Sequence, residues 1–335
     1  MNENLKHNLF IISLLISKMY NPFKKSVDIS DIEKEVDGAT PLKIKEKKKA
    51  LEISIKEGSA ASFSSGLGSS YITPFALALN SNAFHIGLLI EFSGLISPFA
   101  QLFGSKLMEK HSRKKIVLNF VLLEALMWFP IAFLSFLFWK DIFRQYLPYI
   151  LIILYSILVS LTSVAVPSWF SWMGDLVPEK DRGKYFSIRN RATGAIGLIA
   201  FLIGAFILDI MKTKGLVLLG FSILFALSFT FRYLSYNLFK KQYSPRFKLK
   251  KGYYFSFFSF IKRFDNFGKF AIYQCFFYLA LMIASPFFTV YMLEELDFSY
   301  VTFMIVSISS SVFYLLFFPL IGKFSDRFGN VKLLY

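Results

Sequence analysis

Two acidic side chains stand inside long apolar runs, and they are the residues of this sequence best placed to do chemistry. Glu91 and Glu124 each lie eight or so residues into a hydrophobic stretch, roughly 12 Å along a helix that rises about 1.5 Å per residue. A carboxylate at that depth in a bilayer is costly, so it normally faces a cavity, a partner or a proton path. One chemistry for the pair is proton carriage, since a low-dielectric site raises a carboxyl pKa. The alternative is a vestibule acid or a structural hydrogen bond. Other chemistry is sparse. His7, His85 and His111 are scattered with no metal-ligand spacing, and Cys275 is the single cysteine, which leaves no disulfide or cysteine-based zinc site within the chain. The sequence contains no phosphate-cradling glycine loop and no nucleophile–histidine–acid set, so neither an enzyme nor a cofactor is indicated.

The elements that position these acids are long apolar runs. Of the 335 residues 55% are hydrophobic, 42 are Phe and the mean hydropathy is +0.51, a composition that points to a polytopic membrane protein. Spans of about 20 apolar residues are predicted near 58–79, 83–104, 116–138, 147–172, 192–210, 215–237, 270–293 and 300–321, with a ninth beginning at Val331. Run lengths of this kind indicate helices rather than a barrel.

The charge of +16 is a topology signal. Eleven Lys and Arg lie in residues 1–56, five in 105–115, five between spans four and five, nine between spans six and seven and three after span eight, against four in all the alternate loops. The tail and the loops after even-numbered spans are therefore expected to be cytoplasmic. Arg232 alone falls inside a span. With no separate basic domain, nucleic acid is not an expected partner.

The organisation follows as a charged cytoplasmic tail (1–56), a six-helix N-terminal bundle (57–238), a cytoplasmic linker (239–269) and the start of a second bundle (270–335). The linker segment "YYFSFFSFIKRFDNFGKF" has the aromatic and basic composition of an interfacial helix. An internal repeat supports two bundles. "SKLMEKHSRKK" (105–115) aligns with residues 322–332 at an offset of 217, and Thr73-Pro74-Phe75 with Ser285-Pro286-Phe287 at 212. Parallel duplication of a six-span unit is a transporter architecture.

"GKFSDRFGN" (322–330) resembles motif A of the major facilitator superfamily, Gly-x-Leu-x-Asp-Arg-x-Gly-Arg-Lys. Gly322, Asp326, Arg327 and Gly329 match it, while Asn330 and Val331 depart from it. The first copy is looser: Ser105, Glu109 and Lys110 replace Gly, Asp and Arg, and Leu107, Arg113 and Lys114 match. The loop from Trp172 to Phe186, with Asp175, Pro178, Arg182 and Gly183, is similar to the "W-x-x-D-x-x-P-x-x-x-R-G-x-x-F" loop of such transporters. The resemblance implies an MFS-like all-α protein with a complete six-helix N-terminal bundle and the first two helices of the C-terminal one, truncated after the eighth span relative to a twelve-span family. It implies a multi-pass protein of the cell membrane, N-terminus cytoplasmic and commonly monomeric. Its partners would be the lipid bilayer and a small-molecule substrate moved by alternating access.

By the same resemblance motif A is a gate latch, and Asp175 with Arg182, Arg189 and Arg191 joins a cytoplasmic charge network. The substrate path runs between spans one, four, seven and ten. Candidate substrate or proton residues are then Ser65, Ser69 and Tyr71 in span one, Tyr155, Ser156 and Ser160 in span four, Gln274 and Tyr278 in span seven, and the two acids Glu91 and Glu124; packing is the plain reading of each polar or aromatic side chain. Pro74 and Pro286 would kink spans one and seven. Three rivals remain: a non-transporting sensor or scaffold on the same fold, a membrane enzyme using Glu91 and Glu124 as an acid pair, and an inactive truncated remnant.

Overall fold

The computed structural model describes residues 41–178, 182–245, 265–284, 287–309 and 313. Helix α1 (Pro41–Leu67) ends in a 3-10 turn (Ser69–Tyr71) that leads into α2 (Ile72–Ala78); α3 (Ala83–Leu107), α4 (Arg113–Trp139), α5 (Leu147–Leu176), α6 (Arg182–Thr213) and α7 (Val217–Lys241) follow. After the linker come α8 (Asn266–Ala284), α9 (Phe287–Val290), a π-helical turn (Tyr291–Glu295) and α10 (Tyr300–Ser309). Among the described residues there is no strand, and six helices are long and apolar enough to cross a membrane. The chain is an all-helical polytopic membrane protein.

Span one departs from expectation at its start and in its interior. Its helix starts at Pro41 rather than near residue 58, and Ala50, Leu51, Ile55 and Glu57 are buried. The reason is a second, smaller core: Ala50, Leu51 and Ile55 pack with Val117, Trp172, Tyr185 and Phe239, and the Tyr185 hydroxyl donates to the Leu51 carbonyl at 3.1 Å. Residues 41–56 therefore belong to the bundle as well as to its charged approach. The interruption falls at Gly68–Tyr71, one turn before Pro74. A proline lacks an amide proton and crowds the carbonyl four residues back, so the helix breaks where residue 70 would have been its partner.

The helices pack in series, α3 on α5, α5 on α4, α4 on α7, α7 on α1 and α1 on α6. Small residues permit these approaches: a Cβ at Gly104 of α3 would run into the Val164 backbone carbonyl of α5. Hydroxyls pin the same pairs. Ser64 and Ser228 donate to each other's carbonyls at 2.8 and 3.1 Å across α1 and α7, and Ser93–Ser156 (3.1 Å) and Ser97–Ser163 (2.8 Å) link α3 to α5. Contacts between α1 and α5 are few, and a space remains between them.

One end of the bundle carries the basic connections, the other the short uncharged turn after α2 and the α6–α7 connection. At that second end Asn82 caps α3, accepting from the His85 amide at 3.0 Å while His85 Nδ1 accepts from the Asn82 amide at 3.2 Å. The C-terminal segments meet the bundle there. Phe287 lies against Gly87, Tyr300 against Phe221 and Phe303 against Phe201, and Asp297 is 4.0 Å from Lys212. By contrast α8, which leads from the basic end, forms no extensive helix–helix contact among the described residues, and Phe270, Tyr273 and Phe276 are exposed.

Candidate functional site: a charged cavity within the six-helix bundle

The space between α1 and α5 is a cavity of about 340 Å³. Gly58, Ser62 and Ser65 of α1 and Ser69 of the 3-10 turn form one wall; Leu158, Thr162 and Ser163 of α5 form the facing one. Glu124 and Trp128 of α4, Arg189 of α6 and Arg232 of α7 close the rest. Two of the long runs of the sequence, the serine-rich stretch of span one and the polar stretch of span four, thus meet because α1 and α5 stand opposite each other.

The charges are organised as one network. Arg232 Nη2 donates to Glu124 Oε2 at 2.6 Å, with both side chains about nine-tenths buried. Arg232 Nη1 donates to Ser235 Oγ at 3.2 Å, and Ser235 donates to Glu57 Oε1 at 3.0 Å. Glu57 Oε2 is 3.6 Å from Arg189 Nη2, and Glu57 Oε1 is 4.0 Å from Arg232 Nη1. Arg189 lies over the Trp169 ring at 4.5 Å. Its guanidinium fills the volume that a Cβ on Gly58 would need. Two carboxylates and two guanidiniums in a low-dielectric interior compensate one another; any one of them alone would be strongly unfavourable.

The sequence-predicted residues divide accordingly. Glu124, Ser65 and Ser69 line the cavity, and Tyr155 stands beside the Ser69 side chain. Tyr71 does not face the cavity: it is fully buried, and its hydroxyl donates to the Phe201 carbonyl, a packing role between the 3-10 turn and α6. Ser160 donates to the Ser156 carbonyl of its own helix at 2.7 Å and is not part of the wall. Glu91 is exposed on α3, so Glu91 and Glu124 form no acid pair. Gln274 and Tyr278, half-buried and exposed on α8, are not brought to the cavity. Glu57, Trp128 and Arg232 were not predicted. The one available signal was Arg232, the sole Lys or Arg inside a predicted span; a charge there demands a partner.

At the basic end Arg113 is 2% exposed. It donates to the Ser171 carbonyl at 2.7 Å, to Ser171 Oγ at 3.1 Å and to Asp175 Oδ2 at 2.6 Å. This first-copy motif residue therefore ties α4 to α5 within one bundle. Ser105 donates to Gln101 of its own helix at 3.1 Å, while Glu109 and Lys110 are exposed. Arg182 donates to the Gly174 carbonyl at 3.0 Å. Pro178 follows the end of α5, and Gly183 is the second residue of α6 rather than part of a turn. Arg189, expected beside Asp175, points instead to Glu57, because it lies two helical turns into α6. Pro286, Gly322, Asp326, Arg327, Gly329 and the interfacial part of the linker lie outside the described residues.

An all-helical bundle with a polar cavity and this arginine tie defines a class of membrane carrier. The family model for the Major Facilitator Superfamily matches residues 58–335, and the chain belongs to that superfamily, a membrane transporter of the major facilitator type. No curated protein and no solved structure matches it.

Proposed function

We propose that the protein is a secondary transporter of the cell membrane that moves a small polar solute by alternating access, with its basic end in the cytoplasm, and that it performs no covalent chemistry. The cavity carries this reading: a polar, charge-lined space of about 340 Å³ among membrane helices has no packing purpose, because an apolar core would be more stable there. Two further observations support it. The Lys- and Arg-rich connections share one end, as cytoplasmic loops do. The C-terminal segments bridge the opposite end through Phe287, Asp297, Tyr300 and Phe303, which is what a carrier closed to the outside requires. Proton coupling would reside in Glu124 or Glu57, not in Glu91.

The test is accumulation of solutes by proteoliposomes. The full chain is reconstituted, incubated with a mixture of small polar metabolites, and the vesicle contents are read by mass spectrometry. The same assay is run on Gly87→Cys/Phe287→Cys in a Cys275→Ser background, with a short bis-maleimide bridging the two thiols. At least one solute is expected to accumulate above empty liposomes, and bridging is expected to abolish the gain. Solute binding without accumulation would identify a sensor instead.

A further inference from the structure

Resting on the transporter reading, we infer that the cavity is selective for a small organic monoanion: a carboxylate whose short skeleton carries a hydroxyl or carbonyl group. The argument starts from what faces the void. Arg189, Arg232 and Glu124 line it and Glu57 does not, so two guanidiniums and one carboxylate are presented to a solute. Glu57 sits behind at 3.6 and 4.0 Å from the two arginines, longer than the 2.7–2.9 Å or so of a charge-assisted hydrogen bond. It neutralises them without satisfying their donors.

Three donors on cavity-lining side chains have no acceptor: Arg189 Nε, Arg232 Nε and Trp128 Nε1. Buried donors are nearly always paired; these three nitrogens are covered by protein atoms on residues that line the space, so a small shift of their side chains would bring them to an acceptor-rich group. A carboxylate accepts from a guanidinium fork at two oxygens and can replace Glu124 on Arg232 while the indole supplies a further donor. A cation would meet two guanidiniums, and a neutral solute would leave them as they are. The hydroxyls of Ser62, Ser65 and Thr162 on the other walls suit a hydroxyl or carbonyl on the same solute. The volume lies at the small end of ligand pockets, which run from about 300 to 1,000 Å³.

The experiment uses the purified full chain in detergent. Melting temperature is measured with millimolar acetate, lactate, pyruvate and glycerate, with glycerol as the neutral analogue and ethanolamine as the cation; affinity for radiolabelled lactate or pyruvate is measured by equilibrium dialysis. At least one monocarboxylate is expected to raise the melting temperature while glycerol and ethanolamine do not. Trp128→Phe, which keeps the ring volume, is expected to weaken binding about tenfold, as loss of a hydrogen bond to a charged group does. Glu124→Gln/Arg232→Gln, which removes both charges of the short pair together, is expected to abolish it. If no monocarboxylate shifts the melting temperature, or if binding is unchanged in both variants, the inference is overturned. The uptake assay separates the two readings: anion binding without accumulation removes transport and keeps the seat, whereas accumulation of glycerol or ethanolamine without anion binding removes the seat and keeps transport.

Discussion

Breaking the Glu124–Arg232 pair one partner at a time gives unequal losses that the network geometry orders in advance. In Glu124→Leu the Arg232 guanidinium loses its 2.6 Å partner but keeps Ser235 at 3.2 Å and Glu57 at 4.0 Å. Removing one member of a buried pair costs about 3–5 kcal/mol, and the residual partners place this variant near the lower figure, about 3 kcal/mol. Arg232→Met is worse, because it strands Glu124 and also takes a cation from Glu57, so about 5 kcal/mol is expected. The double variant leaves only Glu57 with Arg189 and Ser235 and returns to within about 1 kcal/mol of the parent, since an apolar replacement of a buried pair is often neutral. At about 2–4 °C per kcal/mol for a bundle of this size, the melting temperature in detergent, followed by tryptophan fluorescence, falls roughly 6–12 °C in the first variant and 10–20 °C in the second, and recovers in the third. A double variant no more stable than Arg232→Met, or a Glu124→Leu melting temperature within about 2 °C of the parent, would refute the assignment of these charges to one buried network.

Arg113→Ala is expected to lower the melting temperature clearly, at about 1.5–3 kcal/mol for its charged hydrogen bonds, whereas Asp175→Asn costs about 1 kcal/mol or less because that carboxylate is 43% exposed and well screened; equal effects would contradict the geometry. Gly104→Ala forces a Cβ onto the Val164 carbonyl and is expected to destabilise by about 1–3 kcal/mol, while Gly94→Ala, with nothing within 4 Å, gains about 0.5–1 kcal/mol of helix propensity, so parallel melts have opposite signs. Tyr71→Phe removes the hydroxyl donated to Phe201 and is expected to cost about 0.5–1.5 kcal/mol without altering solute binding in equilibrium dialysis.

Much of the scaffold was legible in the chain because its signals are local. Runs of about 20 apolar residues located spans two, three, four and six to within a turn or so of α3, α4, α5 and α7, whereas the helix of span five starts at Arg182, ten residues before the expected 192, because its first turns are polar and basic. Span one was harder. Residues 41–56 read as a polar approach because their described buried positions, Ala50, Leu51, Ile53, Ser54 and Ile55, lie among lysines and glutamates, and only the surrounding helices make that face a core. The serine-rich run pointed to a cavity wall, and Ser65 and Ser69 are in it, but its tyrosine turned to α6 and became packing.

The sequence by itself determined an all-helical membrane protein and the superfamily whose motifs it carries. Those properties follow from hydrophobic run length, from the clustering of Lys and Arg and from short spacings, all of which act within a few residues. Which charges meet was decided only by the tertiary structure. Glu57, Glu124, Arg189 and Arg232 come from four helices spread over 176 positions of the chain, and no local period relates them. They converge because α1 packs between α6 and α7 and α7 against α4, and because an interior of low dielectric stabilises opposite charges only when they lie together.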